Sequence, residues 1–287
     1  MSLSTTARAL HPICADLDVR LETLSAPGGQ LAALVAEPAE PSGSTVLLVP
    51  GYTGSKEDFR LVLEPLAAAG HRVVALDQRG QHQSPGGTDP SSFTTDALAQ
   101  DVLAVAEQLG PVHLVGHSFG GLVSRAAVLE RPEAFRSLVL MCSGPAALTG
   151  PRVALLPLMR QLLEQGVPAL VAAMDQVNAA DRAWLALDAP TQGFLRDRML
   201  AAGPQALIGM GMAITSEPDR VEELRATGLP VLVLHGVLDD AWSPAQQADM
   251  AQRLGSAYVV VPGAAHSPAV EAPAPTVREL LAFWGGR

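Results

Sequence analysis

Apolar residues along this chain fall into short unbroken runs, separated by stretches in which they recur every three or four positions. Unbroken runs of four to six suit strands buried on both faces, and the spaced stretches suit helices with one face in a core. The pattern predicts apolar strands at 45–49 (TVLLV), 72–76, 112–115, 138–141, 231–234 and 258–261. Helical spacing separates them, at 57–69, 94–109, 119 to about 130, 244–254 and 276–284. Gly70 follows the first of these helices and Gly110-Pro111 the second, residue types that stop a helix. Upstream, 18–37 reads as two strands around the turn Pro27-Gly28-Gly29, with a short loop at 38–44.

Strands alternating with helices predict a parallel sheet covered on both faces. The alternation stops at Pro145 and resumes near Gly228, with helical patterns and no convincing strand between. The predicted organisation is therefore a core built from 1–144 and 229–287, and a helical cap at 145–228. The cap leaves one strand end and returns to the next strand, which places it over the carboxyl edge of the sheet. Ligands bind at that edge in open α/β sheets.

Composition narrows the class. The chain has 287 residues, 48% of them hydrophobic, enough for a sizeable core. Acidic residues outnumber basic ones 29 to 19, and the formal net charge of −10 disfavours nucleic acid and anionic membrane surfaces as partners. Lys56 is the single lysine. Two cysteines, Cys14 and Cys142, make no disulfide framework, and no Cys/His spacing suggests zinc. The stretch from Met1 to Arg20 has no apolar core of a secretory signal, and no apolar run approaches the roughly 18 residues of a membrane span. A soluble, cytoplasmic protein is expected.

The strongest chemical signal is Gly116-His117-Ser118-Phe119-Gly120-Gly121, between a predicted strand and a predicted helix. A G-x-S-x-G at such a junction forms a turn so tight that its glycines can carry no side chain, and it lifts the serine hydroxyl into the open. The helix that follows offers backbone N–H groups and a positive dipole end. A serine hydroxyl needs a base to become a nucleophile. Among the seven histidines, His266 lies in a loop after the last strand, where it can reach over Ser118. His11 is in the N-terminal region, His71 opens a strand, His113 packs inside one and His235 ends one. His82 is a candidate pocket residue, and the side chain of His117 is expected to point away from the serine. The base needs an acid to fix its tautomer. Leu234-His235-Gly236-Val237-Leu238-Asp239-Asp240 ends a strand with two adjacent carboxylates, of which Asp239 is preferred. The stretch Cys142-Ser143-Gly144 after 138–141 offers none. The order Ser118, Asp239, His266 is a Ser–Asp–His order. An oxyanion hole would draw on the N–H of Phe119 and on the loop Pro50-Gly51-Tyr52-Thr53-Gly54-Ser55, where the N–H of Tyr52 is favoured.

With these pieces in order, the chain resembles the α/β-hydrolase superfamily over nearly its whole length. The resemblance rests on PGYTGS (50–55), DQRGQHQS (77–84), GHSFGG (116–121), HGVLDD (235–240) and GAAHSPAVEAP (263–273). It is to serine esterases, lipases and perhydrolase-like members with a helical cap. It implies an α/β-hydrolase fold with a mostly parallel eight-stranded sheet, helices on both faces and the cap inserted after the sixth strand. It also implies catalysis without a cofactor or metal. The chain departs from the common pattern at Pro50, where many members have His, at Gln81-His82, where many have His-Gly, and at Ala265, where many have Gly. None of these removes a reacting group. The expected activity is hydrolysis of a small apolar carboxylic ester by Ser118, His266 and Asp239. Perhydrolysis, acyl transfer, lactone opening and carbon–carbon cleavage use the same triad, and a ligand-binding protein that kept the fold is the remaining alternative. Five of the eight methionines, Met159, Met174, Met199, Met210 and Met212, lie in the cap with Trp184 and Phe194. Some of them should roof the pocket, and Gly203-Pro204, Gly209 and Gly211 offer places for the cap to bend.

Overall fold

A computed structural model describes residues 19–285 of the chain. His11, Cys14 and the first residue of the leading strand expected at 18 lie outside the described residues.

Among the described residues one sheet of eight strands runs in the order β1-β2-β4-β3-β5-β6-β7-β8. β1 (Val19–Ala26) and β2 (Gly29–Ala36) form the hairpin, and β2 also lies antiparallel to β4 (His71–Leu76). β3 (Ser44–Val49), β4, β5 (Val112–His117), β6 (Phe135–Met141), β7 (Val231–Gly236) and β8 (Ala257–Val261) are parallel to one another. Gly29 turns the hairpin at φ 118°, a conformation open to glycine. The two-residue period of a strand sends alternate side chains to opposite faces. In β3, Leu47 and Val49 join one core, and Val46 and Leu48 the other. That is why these strands are apolar throughout rather than alternating.

Helices complete both layers. α1 (Arg60–Ala68) and the last helix cover one face, where Val62, Leu63 and Leu66 meet Val277, Leu280 and Trp284. α2 (Thr95–Leu109) and α3 (Phe119–Glu130) cover the other. Thr94 caps α2 by accepting from the Ala97 N–H, and Gly110 ends it at φ 80°.

Between β6 and β7 the described chain is helical: α4 (Leu156–Leu163), α5 (Val167–Asn178), α6 (Arg182–Leu185), α7 (Ala189–Ala201), α8 (Pro204–Ser216) and α9 (Val221–Ala226). α4, α5 and α7 share a small core of Leu163, Val167, Leu170, Val171 and Met199, joined by Leu207 of α8. α8 also enters the main core, through Ala206, Met210, Ala213 and Ile214, and α9 through Val221 and Leu224. The glycines inside α8, Gly209 and Gly211, serve this docking, and the chain bends by 90° between α7 and α8, at the break that holds Gly203. A Cβ at Gly209 would stand 2.2 Å from the carbonyl oxygen of Pro90, and one at Gly211 3.0 Å from the Tyr52 hydroxyl. The buried Arg125 of α3 holds both ends of the insertion. It donates to the Pro145 carbonyl at the entry, and to Glu217 (3.0 Å) and the Pro218 carbonyl (3.2 Å) at the exit. α10 (Pro244–Leu254), α11 (Pro268–Glu271) and α12 (Pro273–Gly285) complete the chain. α11 is too short for periodicity to show. No single helix among the described residues is long and apolar enough to cross a membrane.

Candidate active site

The site begins where β5 turns into α3. Ser118 sits at that corner with φ 54° and ψ −121°, a region that costs a residue with a Cβ about 1–3 kcal/mol. The surrounding backbone leaves no alternative. A Cβ at Gly116 would be 2.4 Å from the Gly120 carbonyl oxygen, and one at Gly120 2.4 Å from that of Val49. The strained turn is locked by two hydrogen bonds, Ser118 N–H to the Met141 carbonyl and Gly121 N–H to the Ser118 carbonyl, each 2.9 Å.

His266 and Asp239 converge on this corner. His266 Nε2 lies 3.0 Å from Ser118 Oγ, and its Nδ1 lies 2.8 Å from Asp239 Oδ1. A proton on Nδ1 directed at the carboxylate leaves the Nε2 lone pair facing the serine hydroxyl. Asp239 is fully buried and also accepts from the Ala241 N–H (3.1 Å) and from Gln247 Nε2 (2.8 Å). Burial alone would raise its pKa. The neighbouring His266 and the hydrogen bonds from His266, Ala241 and Gln247 outweigh burial, and hold the carboxyl below its ordinary range. Asp240 points elsewhere: its side chain is 66% exposed and pairs with Arg152.

The loop carrying His266 is gripped from several sides. The Glu271 carboxylate, on α11, accepts from the Ala265 N–H (2.5 Å) and the Ser267 N–H (3.2 Å). Burial pushes the Glu271 pKa up. The His117 ring makes its hydrogen bond to the histidine loop and not to Ser118. Its Nε2 lies 2.6 Å from the His266 carbonyl oxygen, and the two rings stand 5.1 Å apart. The reason is that β5 continues through Gly116 to His117, one step before the turn, and directs this ring under the histidine loop. Complete burial, with His266 alongside, lowers the His117 pKa to about 4. The ring is neutral at pH 7 and donates its Nε2 proton to that carbonyl. Cys142 is a buried free thiol beside the Ala265 carbonyl (3.6 Å). Ligating atoms of His117, Cys142 and His266 come within 4.8 Å of one another. Both His266 nitrogens and His117 Nε2 are engaged in hydrogen bonds, to Asp239, to Ser118 and to the His266 carbonyl.

The other described histidines have structural partners. His113 stacks on Trp284 and His71 meets the same ring edge-on, while His235 bonds to Tyr258 (2.8 Å). His82 lies against Phe194 and lines a small cavity with Tyr52 and Thr53.

Phe119 is the first residue of α3, so its N–H has no partner within the helix. Gly51 abuts the serine: a Cβ there would be 3.1 Å from Ser118 Cβ. Tyr52 follows, its hydroxyl buried and donating to the Leu207 carbonyl (2.6 Å), which ties this loop to α8. Beneath the loop Lys56 is wholly buried, with Nζ 2.7 Å from Asp77 and 2.9 Å from Glu57. Sequence reasoning missed Lys56, Glu271 and His117 as supports. Glu271 lay inside a quoted motif, but without three dimensions nothing linked it to Ala265 and Ser267.

A predominantly apolar cavity of about 160 Å³ opens within the helical insertion, walled by Leu158, Met159, Leu170, Met174, Trp184 and Met199, with Thr53 reaching it from the loop beside Ser118. Of the five insertion methionines, Met159, Met174 and Met199 face this space. Met210 is buried in the main core and Met212 is exposed. Phe194 packs on His82.

Residues 44–273 match the family model described as alpha/beta hydrolase fold, and the chain belongs to that family. It is 28% identical to the pimeloyl-[acyl-carrier protein] methyl ester esterase of Aeromonas salmonicida, over 85% of this chain and 96% of that one. It is 41% identical over 101 residues to a putative carbamate hydrolase, RutD, of Variovorax paradoxus, a match spanning 34% of this chain and 38% of the relative. Among solved structures, a carboxylesterase of the thaumarchaeon Nitrososphaera gargenis superposes with a TM-score of 0.76 at 21% identity, covering 92% of this chain and 98% of that one. At that identity the likeness is one of fold. Hydrolase chemistry is what the family and the names of these relatives support.

Proposed function

We propose that this chain hydrolyses a carboxylic ester of a small apolar substrate, through an acyl-enzyme on Ser118. The observation that carries the reading is the relay Ser118–His266–Asp239, with contacts of 3.0 and 2.8 Å, ending on a serine held in a strained turn. In the proposed reaction His266 Nε2 takes the Ser118 proton as Oγ attacks the ester carbonyl. Asp239, buried and ionised, stabilises the imidazolium that forms. The oxyanion is received by the N–H groups of Phe119 and Tyr52. As the tetrahedral intermediate collapses, His266 returns the proton to the leaving alcohol. Water, activated by the same histidine, then releases the acid and regenerates the serine.

Residues 145–228 act in this reading as a cap whose cavity takes the apolar part of the substrate. An apolar cavity of about 150 Å³ holds a ligand the size of benzene, and the cavity here is about 160 Å³. That space suits an acyl chain of roughly six carbons. The arginines on its wall are neutralised, Arg196 by Asp175 at 3.1 Å and Arg198 by Asp58 at 2.6 Å. A neutral chain is therefore favoured over an anionic one. This relay requires no metal, so EDTA dialysis is expected to leave turnover unchanged.

The test is ester turnover by Ser118→Ala, His266→Ala and the double variant. Members of such a relay act as a unit, so each single variant should lose on the order of 10³-fold or more, and the double little beyond either. Near-normal turnover by Ser118→Ala would refute the proposal.

A further inference from the structure

Two glutamines in the loop after β4 hold three consecutive carbonyls of the loop beside Ser118. Gln78 Nε2 donates to the Pro50 carbonyl at 2.9 Å. Gln81 Nε2 donates to the Gly51 carbonyl at 2.7 Å and to the Tyr52 carbonyl at 3.2 Å. Gln81 Oε1 in turn accepts from the Gln78 N–H at 3.0 Å. The Gln81 amide thus uses both of its hydrogens and its oxygen, and it is buried. Only a primary amide supplies two donors and an acceptor in that geometry. The reversed amide would set its oxygen against two carbonyls.

The consequence follows from the planarity of the peptide. No cis bond occurs among the described residues. In a trans peptide the carbonyl of one residue and the N–H of the next point in opposite directions. Holding the Gly51 carbonyl toward Gln81 turns the Tyr52 N–H to the other side of the same peptide plane. The Gly51 carbonyl also accepts from the Gly54 N–H at 3.1 Å, so both of its lone pairs are engaged and the plane cannot rotate freely. Gly51 itself abuts Ser118, where an added Cβ would lie 3.5 Å from Oγ.

Resting on the esterase reading above, we propose that Gln81, supported by Gln78, is the positioning residue that aims the Tyr52 N–H at the developing oxyanion. It touches neither substrate nor Ser118. It acts by fixing one peptide plane. The charge it helps to stabilise exists only in the transition state, so its loss belongs in kcat and not in KM.

The experiment compares wild type with Gln81→Glu and Gln81→Met on a p-nitrophenyl hexanoate assay. Inhibition by a hexyl trifluoromethyl ketone, which forms the tetrahedral oxyanion, is measured in parallel. Circular dichroism and thermal melts identify folded variants. Removing an oxyanion donor outright costs about 10²–10³-fold in kcat, so misaiming one should cost roughly ten- to a hundredfold. Ketone affinity should fall by a similar factor, while KM stays within about threefold. Gln81→Glu keeps the shape and loses the donors; Gln81→Met loses the whole amide. If both misfold, Gln78→Met, which releases the Pro50 carbonyl alone, should show the same split at smaller size. Folded variants with wild-type kcat and ketone affinity, or a loss confined to KM, would overturn the proposal. A wild type that turned over no ester would instead refute the esterase reading, and this inference with it.

Discussion

Exchanging Asp239 for Asn removes one charge from a site where every neighbour donates. Oδ1 faces His266 Nδ1 and the Ala241 N–H, and Oδ2 faces Gln247 Nε2. The Gln247 amide cannot reverse to accommodate an Asn, because the same Nε2 also donates to the Trp242 carbonyl at 2.8 Å. The new NH₂ group must therefore oppose a donor on one side or turn toward His266. If it turns, it donates to Nδ1, places the imidazole proton on Nε2, and leaves Ser118 without a base. In either orientation the imidazolium loses its buried counter-charge. The same exchange in a serine protease triad lowers kcat about 10⁴-fold, which at about 1.4 kcal/mol per decade is roughly 5.5 kcal/mol of transition-state stabilisation. Asp240 is the internal control. Its exposed pairing with Arg152 is a surface ion pair, a class worth under about 1 kcal/mol, and Asp240→Asn should leave kcat within a few-fold. Both variants would be assayed on p-nitrophenyl butyrate at pH 8, with a thermal melt for each. A crippled Asp240→Asn beside a nearly normal Asp239→Asn would instead make Asp240 the partner of His266.

Three further outcomes follow from the same contacts. Lys56→Met strands Asp77 and Glu57 as buried acids, at a cost of about 3–5 kcal/mol. With an unfolding entropy near 2.1 cal/mol/K per residue, that lowers Tm by roughly 5–8 °C, and a calorimetric shift under about 1 °C would contradict it. His117 takes up a proton at about pH 4 in the folded chain, against an ordinary histidine value of about 6.5. Between those values the unfolded chain binds the extra proton, so stability falls as pH drops through that window, by on the order of 3 kcal/mol. His117→Gln should remove that part of the slope, and equal Tm losses from pH 7 to 4.5 in both proteins would refute the assignment. Ester turnover should rise from acetyl toward butyryl or hexanoyl, each buried methylene adding about 0.8 kcal/mol, and then fall. Met174→Trp, which fills part of the cavity wall, should move that optimum to a shorter chain. A flat profile, or one that the substitution leaves unchanged, would show that this cavity does not select the acyl group.

Much of the architecture was legible because strands buried on both faces must be apolar throughout. Residues 45–49, 72–76 and 231–234 each emerge as a strand, and Gly70 and Gly110 mark helix ends. The turn at Ser118 was legible because glycine alone fits at 116 and 120. Local reasoning failed where a residue's partner is remote in sequence. The partner of His117 is the carbonyl of His266, and that of Gln81 is a carbonyl thirty residues upstream. The packing role of the glycines inside α8 was hidden for the same reason. Gly209 and Gly211 make room for Pro90 and Tyr52, contacts that no helical periodicity encodes. α11, four residues long, lies below the length at which a period can be read.

Everything in the proposed reaction depends on Ser118 being a nucleophile activated by His266. Incubating the protein with a fluorophosphonate and locating the adduct by intact mass and peptide mapping reads that activation out at the serine itself. One phosphonyl group per chain is expected, on Ser118, formed at a rate that His266→Ala lowers by orders of magnitude. An unmodified Ser118, or labelling of Ser118 that proceeds equally fast without His266, would contradict it.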